Sequence, residues 1–271
     1  MKVSCLQMDM QLGLPEENFF HAERMIHEAM KEHPDVLVLP ETWNTGFFPR
    51  ENLAGLSCRD GQEVKDRIGG LAKTYGVHLV AGSVSNERDG QIFNTAMVFD
   101  RSGACIAQYD KTHLFTPMGE DAFYTRGEQL CRFVLDGVNC GMAICYDIRF
   151  PELIRSLALQ GMDMLFVVSQ WPRERIDHLR TLTAARAIEN QIFVVCCNSC
   201  GTADKTVFGG NSSVIDPFGK ILALGGETEE IITASCEMQI LSEIRSSIPV
   251  FRDRCPQLYG KKPVARTDRN R

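Results

Sequence analysis

No stretch of this 271-residue sequence reaches the ~18 uninterrupted apolar residues that a membrane-crossing helix needs. The opening segment MKVSCLQMDM also lacks the apolar core and small-residue cleavage pattern of a secretory leader, so a soluble, cytoplasmic protein is expected. Positive charge is not in excess. With 29 Lys and Arg against 35 Asp and Glu, the formal net charge is -6, which offers no attraction to phosphate backbones or anionic headgroups. Nucleic-acid and membrane partners are therefore not expected. None of the glycine-rich phosphate cradles is present. Cys197 and Cys200 have metal-like spacing, but no second pair and no nearby histidine pair completes a four-ligand set, so no metal and no organic cofactor is expected. A Ser/Gly-rich linker is missing too, which leaves one catalytic domain over residues 1–260 followed by a polar, basic tail, KKPVARTDRNR, over 261–271.

Hydrophobic residues make up 44% of the chain, enough for a large core. Most of the eleven cysteines sit inside apolar runs such as VNCGMAIC and IFVVCCNSC and read as buried, reduced thiols. Short β-branched runs alternate with helical stretches. The strand KVSCLQM precedes a helix from Pro15 with apolar positions Phe20, Met25, Ile26, Ala29 and Met30. VLVLP follows, then a helix around Val64, Ile68 and Leu71, then HLVAGSVS. IFNTAMVFD and ACIAQYDK form a hairpin through Arg101-Ser102-Gly103. FVLDGVNCGMAIC reads as a buried strand leading to the helix PELIRSLALQ. MLFVVSQ, the helix RIDHLRTLTAARAIENQ and IFVVCCNS repeat the rhythm, and SSVIDP and KILALGG turn at Asp216-Pro217-Phe218-Gly219. This order implies an α/β protein of mixed sheets with helices packed outside them.

Three strand ends carry reactive groups. In VLVLPETW the apolar run ends at Pro40 and presents Glu41, either as a carboxylate solvating the strand end or as a general base held near apolar walls. In ACIAQYDKTHL, alternation leads to Lys111, which is an ordinary exposed lysine or an ammonium aimed at a developing oxyanion. In GMAICYDIRFPEL a buried strand delivers Cys145 to a sharp transition before a helix marked by Pro151. A thiol there faces the pocket, and the backbone N–H of Tyr146 is free to donate, which suits a nucleophile with an oxyanion hole.

The segments LPETW, YDKTHL and CYDIRFPEL, in this order, resemble the three catalytic motifs of the nitrilase, or carbon–nitrogen hydrolase, superfamily, over nearly the whole chain from Val3 to about Tyr259. The resemblance implies an α-β-β-α sandwich, with Glu41 as general base, Lys111 as oxyanion stabiliser and Cys145 as the acylated nucleophile. It also implies a second glutamate between lysine and cysteine, matched by Glu120 in TPMGEDAFYTRG with Glu128 as competitor, and pairing into a homodimer or higher homo-oligomer, to which EIRSSIPVFRDRCPQLYG would contribute. Within the superfamily, QWPRERIDHLRTLTAARAIENQIFVVCCNSCG and CYDIRFPEL look most like the small-amide branch that includes the ω-amidases. That points to hydrolysis of the ω-amide of a 2-oxo acid such as 2-oxoglutaramate through a thioester.

A 2-oxo acid needs a cation at its carboxylate, and Arg149 and Arg173 are candidates, Arg149 being alternatively tied to Glu152 or Asp147. Trp171 either walls the pocket or packs in the core, and Phe47 and Phe48 shape the entrance. The alternatives are a nitrilase, an N-carbamoyl amino acid hydrolase or a nonenzymatic nitrilase-like binding protein. A papain-like protease would need a histidine at Cys145, for which only His113 and His178 lie near the motifs.

Overall fold

The computed structural model describes residues 1–47 and 49–259; Phe48 and the tail expected over 261–271 fall outside them. The first half runs β1 (Lys2–Gln7), α1 (Pro15–Ala29), β2 (Val36–Val38), the short α2 (Leu53–Leu56) and β3 (Cys58–Arg59), then α3 (Gln62–Tyr75), β4 (His78–Arg88), β5 (Gln91–Phe99) and β6 (Cys105–Asp110). The second half repeats the plan with β7 (Arg132–Leu135), β8 (Val138–Ile144), α4 (Pro151–Ala158), β9 (Met164–Ser169), α5 (Ile176–Asn190) and β10 (Phe193–Asn198). A small hairpin, β11 (Thr202–Ala203) and β12 (Thr206–Val207), precedes β13 (Ser213–Ile215), β14 (Ile221–Leu224), β15 (Glu230–Ser235) and α6 (Ile240–Ser247).

Two mixed sheets result, ordered β15-β1-β2-β4-β5-β6 with β3 beside β4, and β14-β13-β10-β9-β8-β7. Each has a parallel centre and antiparallel flanks, and β15 returns to pair with β1 from Lys2↔Ser235 to Gln7↔Glu230. The central strands are buried on both faces, which explains their continuous apolar runs. In β10, Phe193, Val195 and Cys197 point between the sheets, while Val194 and Cys196 point to the helical layer. The inter-sheet core joins Val38, Val80 and Val98 to Met142, Phe166 and Val195. α1 and α3 cover one outer face, α4 and α5 the other, giving the expected α-β-β-α layers. Among the described residues no helix is long and apolar enough to cross a membrane.

Two local readings need correction. The buried stripe of α1 is Phe19, Ala22, Met25, Ile26 and Ala29, whereas Phe20 is exposed beneath the Arg67 guanidinium, 4.9 Å from its ring centroid. The helical period admits one of two adjacent phenylalanines to the core face. FVLDGVNCGMAIC is two strands, β7 and β8, joined at Asp136 (φ 46°) and Gly137 (φ 82°). An Asp-Gly pair with both φ angles positive is the two-residue hairpin turn, a signal that the uninterrupted reading passed over.

Candidate active site

Strands β2, β8 and β9 end at one rim of the sandwich, and β6, antiparallel to β5, ends there as well. Each presents a functional group one to three residues past its end, where ligands of α/β sheets bind. Glu41 follows β2, Lys111 follows β6, Cys145 follows β8 and Gln170 follows β9. All four line one narrow cavity of about 30 Å³, walled also by Glu120, Tyr146, Phe47, Phe115, Met118, Arg149, Trp171, Pro172 and Arg175.

The turn that carries Glu41 is locked to both sheets. Ser83 N–H donates to the Pro40 carbonyl at 3.0 Å, Thr42 N–H to Ser83 Oγ at 3.0 Å and Thr42 Oγ1 to Gln170 Oε1 at 2.9 Å. Glu41 Oε2 accepts the Gln170 N–H at 2.9 Å, and Oε1 accepts Lys111 Nζ at 2.8 Å and Asn94 Nδ2 at 2.9 Å. Lys111 Nζ also donates to Glu120 Oε1 at 3.0 Å and Oε2 at 2.9 Å, and Glu120 Oε2 takes the Phe115 N–H at 2.6 Å. Burial works against the lysine charge, but Glu120, then Glu41 and Cys145, outweigh it and hold the ammonium well above the usual lysine range.

Cys145 has φ 46°, an uncommon value for a non-glycine residue, and opens a single 3₁₀ turn, Cys145–Arg149. Asp147 holds that turn. Its fully buried carboxylate accepts the Ile144 N–H at 2.9 Å, the Tyr109 hydroxyl at 2.8 Å and the His113 N–H at 3.1 Å. Tyr146 is the second residue of the turn, so its N–H precedes the first intrahelical bond and stays available at the cavity wall. Burial pushes the Cys145 thiol up and Glu41 adds to this, with Lys111 offsetting part of it. A thiol so placed is a poor spontaneous thiolate and depends on a neighbouring base to lose its proton.

The structure thus gathers Glu41, Lys111, Cys145, Glu120 and Tyr146, as well as Arg149, Trp171 and Phe47. Glu128 lies in a separate groove with Arg88 and Arg126. Arg173 is a correction: it is exposed, 3.8 Å from Glu227, and outside the cavity. Arg175 occupies the position expected of it, because two steps along a 3₁₀ turn of three residues rotate the side-chain direction by about 240°. Arg149 does not pair with Asp147 or Glu152. It donates to His178 Nδ1 at 3.2 Å and lies 4.6 Å over the Trp171 ring. Trp171 is both wall and core, since it is buried and its Nε1 donates to the Arg175 carbonyl at 2.8 Å. His113 bonds to Asp147 at 2.8 Å and stacks on Phe150, turned away from the histidine-base role. Sequence reasoning missed Asn94, Gln170, Phe115, Met118 and Arg175; only Asn94, a lone amide inside IFNTAMVFD, carried a visible signal.

Comparison with known proteins gives a consistent picture. The carbon-nitrogen hydrolase family model matches residues 2–246. A 2-oxoglutaramate amidase of Bacillus subtilis is 44% identical over 257 residues, 95% of this chain and 98% of its own. An omega-amidase of Xenopus tropicalis is 30% identical, covering 90% of this chain and 91% of its own. Among solved structures, an amidase of the nitrilase superfamily from Nesterenkonia sp. AN1, in complex with butyramide, aligns with a TM-score of 0.80 at 26% identity over 94% of this chain and 97% of its own. That amidase has also been captured with acrylamide added to its active-site cysteine.

Proposed function

Because the chain belongs to the carbon-nitrogen hydrolase family, and is a hydrolase of carbon–nitrogen bonds other than peptide bonds, we propose that it is a cysteine-dependent amidase cleaving the ω-amide of a 2-oxo acid such as 2-oxoglutaramate. The observation that carries the chemistry is the Lys111 ammonium held between two buried carboxylates in the cavity that Cys145 enters. Glu41 takes the thiol proton as Cys145 Sγ attacks the amide carbon, and the tetrahedral oxyanion is met by Lys111 and the Tyr146 N–H. One Lys111 N–H points to Glu41 and one is shared by the two oxygens of Glu120, which leaves the third for the oxyanion. Glu41 returns the proton to the leaving nitrogen, ammonia departs, and a thioester remains. Water, deprotonated by Glu41, then cleaves the thioester to the free acid and regenerates the thiol.

The acidic substrate is supported by the Bacillus subtilis relative and by the cations of the cavity. Burial works against the charge of Arg149, and the nearby Arg175 adds repulsion. A substrate carboxylate between the two relieves both. Ammonia release from 2-oxoglutaramate, a simple nitrile and an N-carbamoyl amino acid tests the reading. The 2-oxo acid amide is expected to be fastest, with Arg149→Met and Arg175→Met raising its KM while sparing butyramide. Faster turnover of the nitrile would overturn the amidase assignment.

A further inference from the structure

Asn94 is a polar residue in the middle of β5, buried to 1% exposure, and it belongs to no recognised motif. Its Nδ2 donates to Glu41 Oε1 at 2.9 Å and to Glu120 Oε1 at 3.2 Å, while its backbone carbonyl accepts the Lys111 N–H at 2.9 Å. Its Oδ1 is buried without a hydrogen-bond partner among the described residues. The opposite amide orientation would aim Oδ1 at two carboxylate oxygens, so the glutamates dictate the orientation even though an acceptor is left unpaired. A buried polar group held in that condition at a reactive cluster calls for a functional explanation.

We propose that Asn94 is a positioning residue that fixes which oxygen of Glu41 receives the Cys145 proton, an inference that rests on Glu41 as the base. Lys111 and Asn94 bind the same oxygen, Oε1, of both glutamates and close a four-membered ring of side chains. Glu41 Oε1 is thereby occupied by two donors. Among the described residues Oε2 is held only by the Gln170 N–H, which also faces the Cys145 sulfur, and so retains a lone pair for the proton. As the S–H bond breaks, the new O–H bond forms at Oε2. Without Asn94 the carboxylate has one donor on each oxygen, and its broad terminal torsion no longer distinguishes them.

The test uses the full chain with Asn94→Asp, which is isosteric, and Asn94→Leu. For each, kcat and KM on 2-oxoglutaramate are measured against pH, together with the rate of Cys145 alkylation by iodoacetamide, which does not depend on the substrate assignment. The new carboxyl of Asn94→Asp faces two others and can donate only while protonated. Both rates should survive on the acid side and fall about tenfold per pH unit above its ionisation, a limb absent from the native protein. Asn94→Leu should lose about 100-fold in kcat at every pH with KM within about threefold. If Asn94→Leu does not fold, the acid limb of Asn94→Asp decides alone. Native-like rates in the variants, or a loss in Asn94→Asp that is equal at all pH values, overturn the inference. Glu41→Gln separates the two levels: its inactivity alongside native-like Asn94 variants sinks only the positioning role, whereas its retained activity sinks the base assignment as well.

Discussion

At the scale of the residue, the energetics centre on Lys111. An ammonium taken out of water is stable only where opposite charge replaces the lost hydration, and here two carboxylates do so within 2.9 Å. Removing one member of such a cluster leaves the others buried and uncompensated. Lys111→Met is therefore expected to lose at least ~100-fold in kcat, the scale of one lost oxyanion donor. It should also destabilise the fold by about 3 kcal/mol or more through the stranded carboxylates, as read from chemical unfolding. A double variant, Lys111→Met with Glu120→Gln, should recover part of that stability without recovering activity. Native-like stability of Lys111→Met would contradict the buried cluster.

At the scale of the element, the site depends on how closely β4 approaches the turn after β2. Gly82 (φ 62°) interrupts the ladder of β4, and a Cβ there would lie 2.1 Å from the Pro40 carbonyl oxygen and 2.8 Å from Trp43. Neither neighbour can give way: the first is backbone that presents Glu41, and the second is a fully buried ring. Gly82→Ala should consequently cost more than the roughly 1–2 kcal/mol of placing an L side chain at a positive φ. It should also lower kcat, because relief of the clash displaces Glu41. Unfolding midpoints and kcat compared with those of Gly90→Ala, a turn glycine with nothing within 4 Å, isolate the steric part.

At the scale of the whole molecule, two charge and surface features lead to measurements. The pole opposite the site joins Arg101 to Asp136 at 2.6 Å and to Asp35 at 3.1 Å, with His78 2.9 Å from Asp136. The Arg101 hydrogen bond, against some burial, brings the Asp136 carboxyl from 3.8 to about 2. A depressed carboxyl stabilises the fold above its ordinary value, and that contribution is lost as pH falls toward about 2. Asp136→Asn should therefore lower Tm at pH 7 and flatten the acid limb of a Tm against pH curve between about pH 4 and 2, the two curves converging as pH falls toward about 2. On another face, Ile188 of α5 and Phe218 and Ile221 of the β13–β14 hairpin are about half exposed, and Gly219 brings the hairpin against Ile188. A homodimer covering this patch is the expected state. Light scattering should report twice the chain mass, and Ile188→Lys with Phe218→Lys should halve it; a native monomer would exclude this interface.

The sequence by itself determined the alternation of strands and helices, the hairpin at Arg101-Ser102-Gly103 and the strand-end placing of Glu41, Lys111 and Cys145, because side-chain period and turn chemistry are local properties. It also singled out Glu120 over Glu128 through the motif it resembles. What only the tertiary structure decided was direction. Phe19 rather than Phe20 enters the core, Arg175 rather than Arg173 enters the cavity, and Asn94 reaches two glutamates 53 and 26 residues away. Spacing along a chain ranks which residues share a face, but which face meets which neighbour is set by the packing of two sheets against each other. The donor and acceptor pairs of the site exist only once that packing is complete.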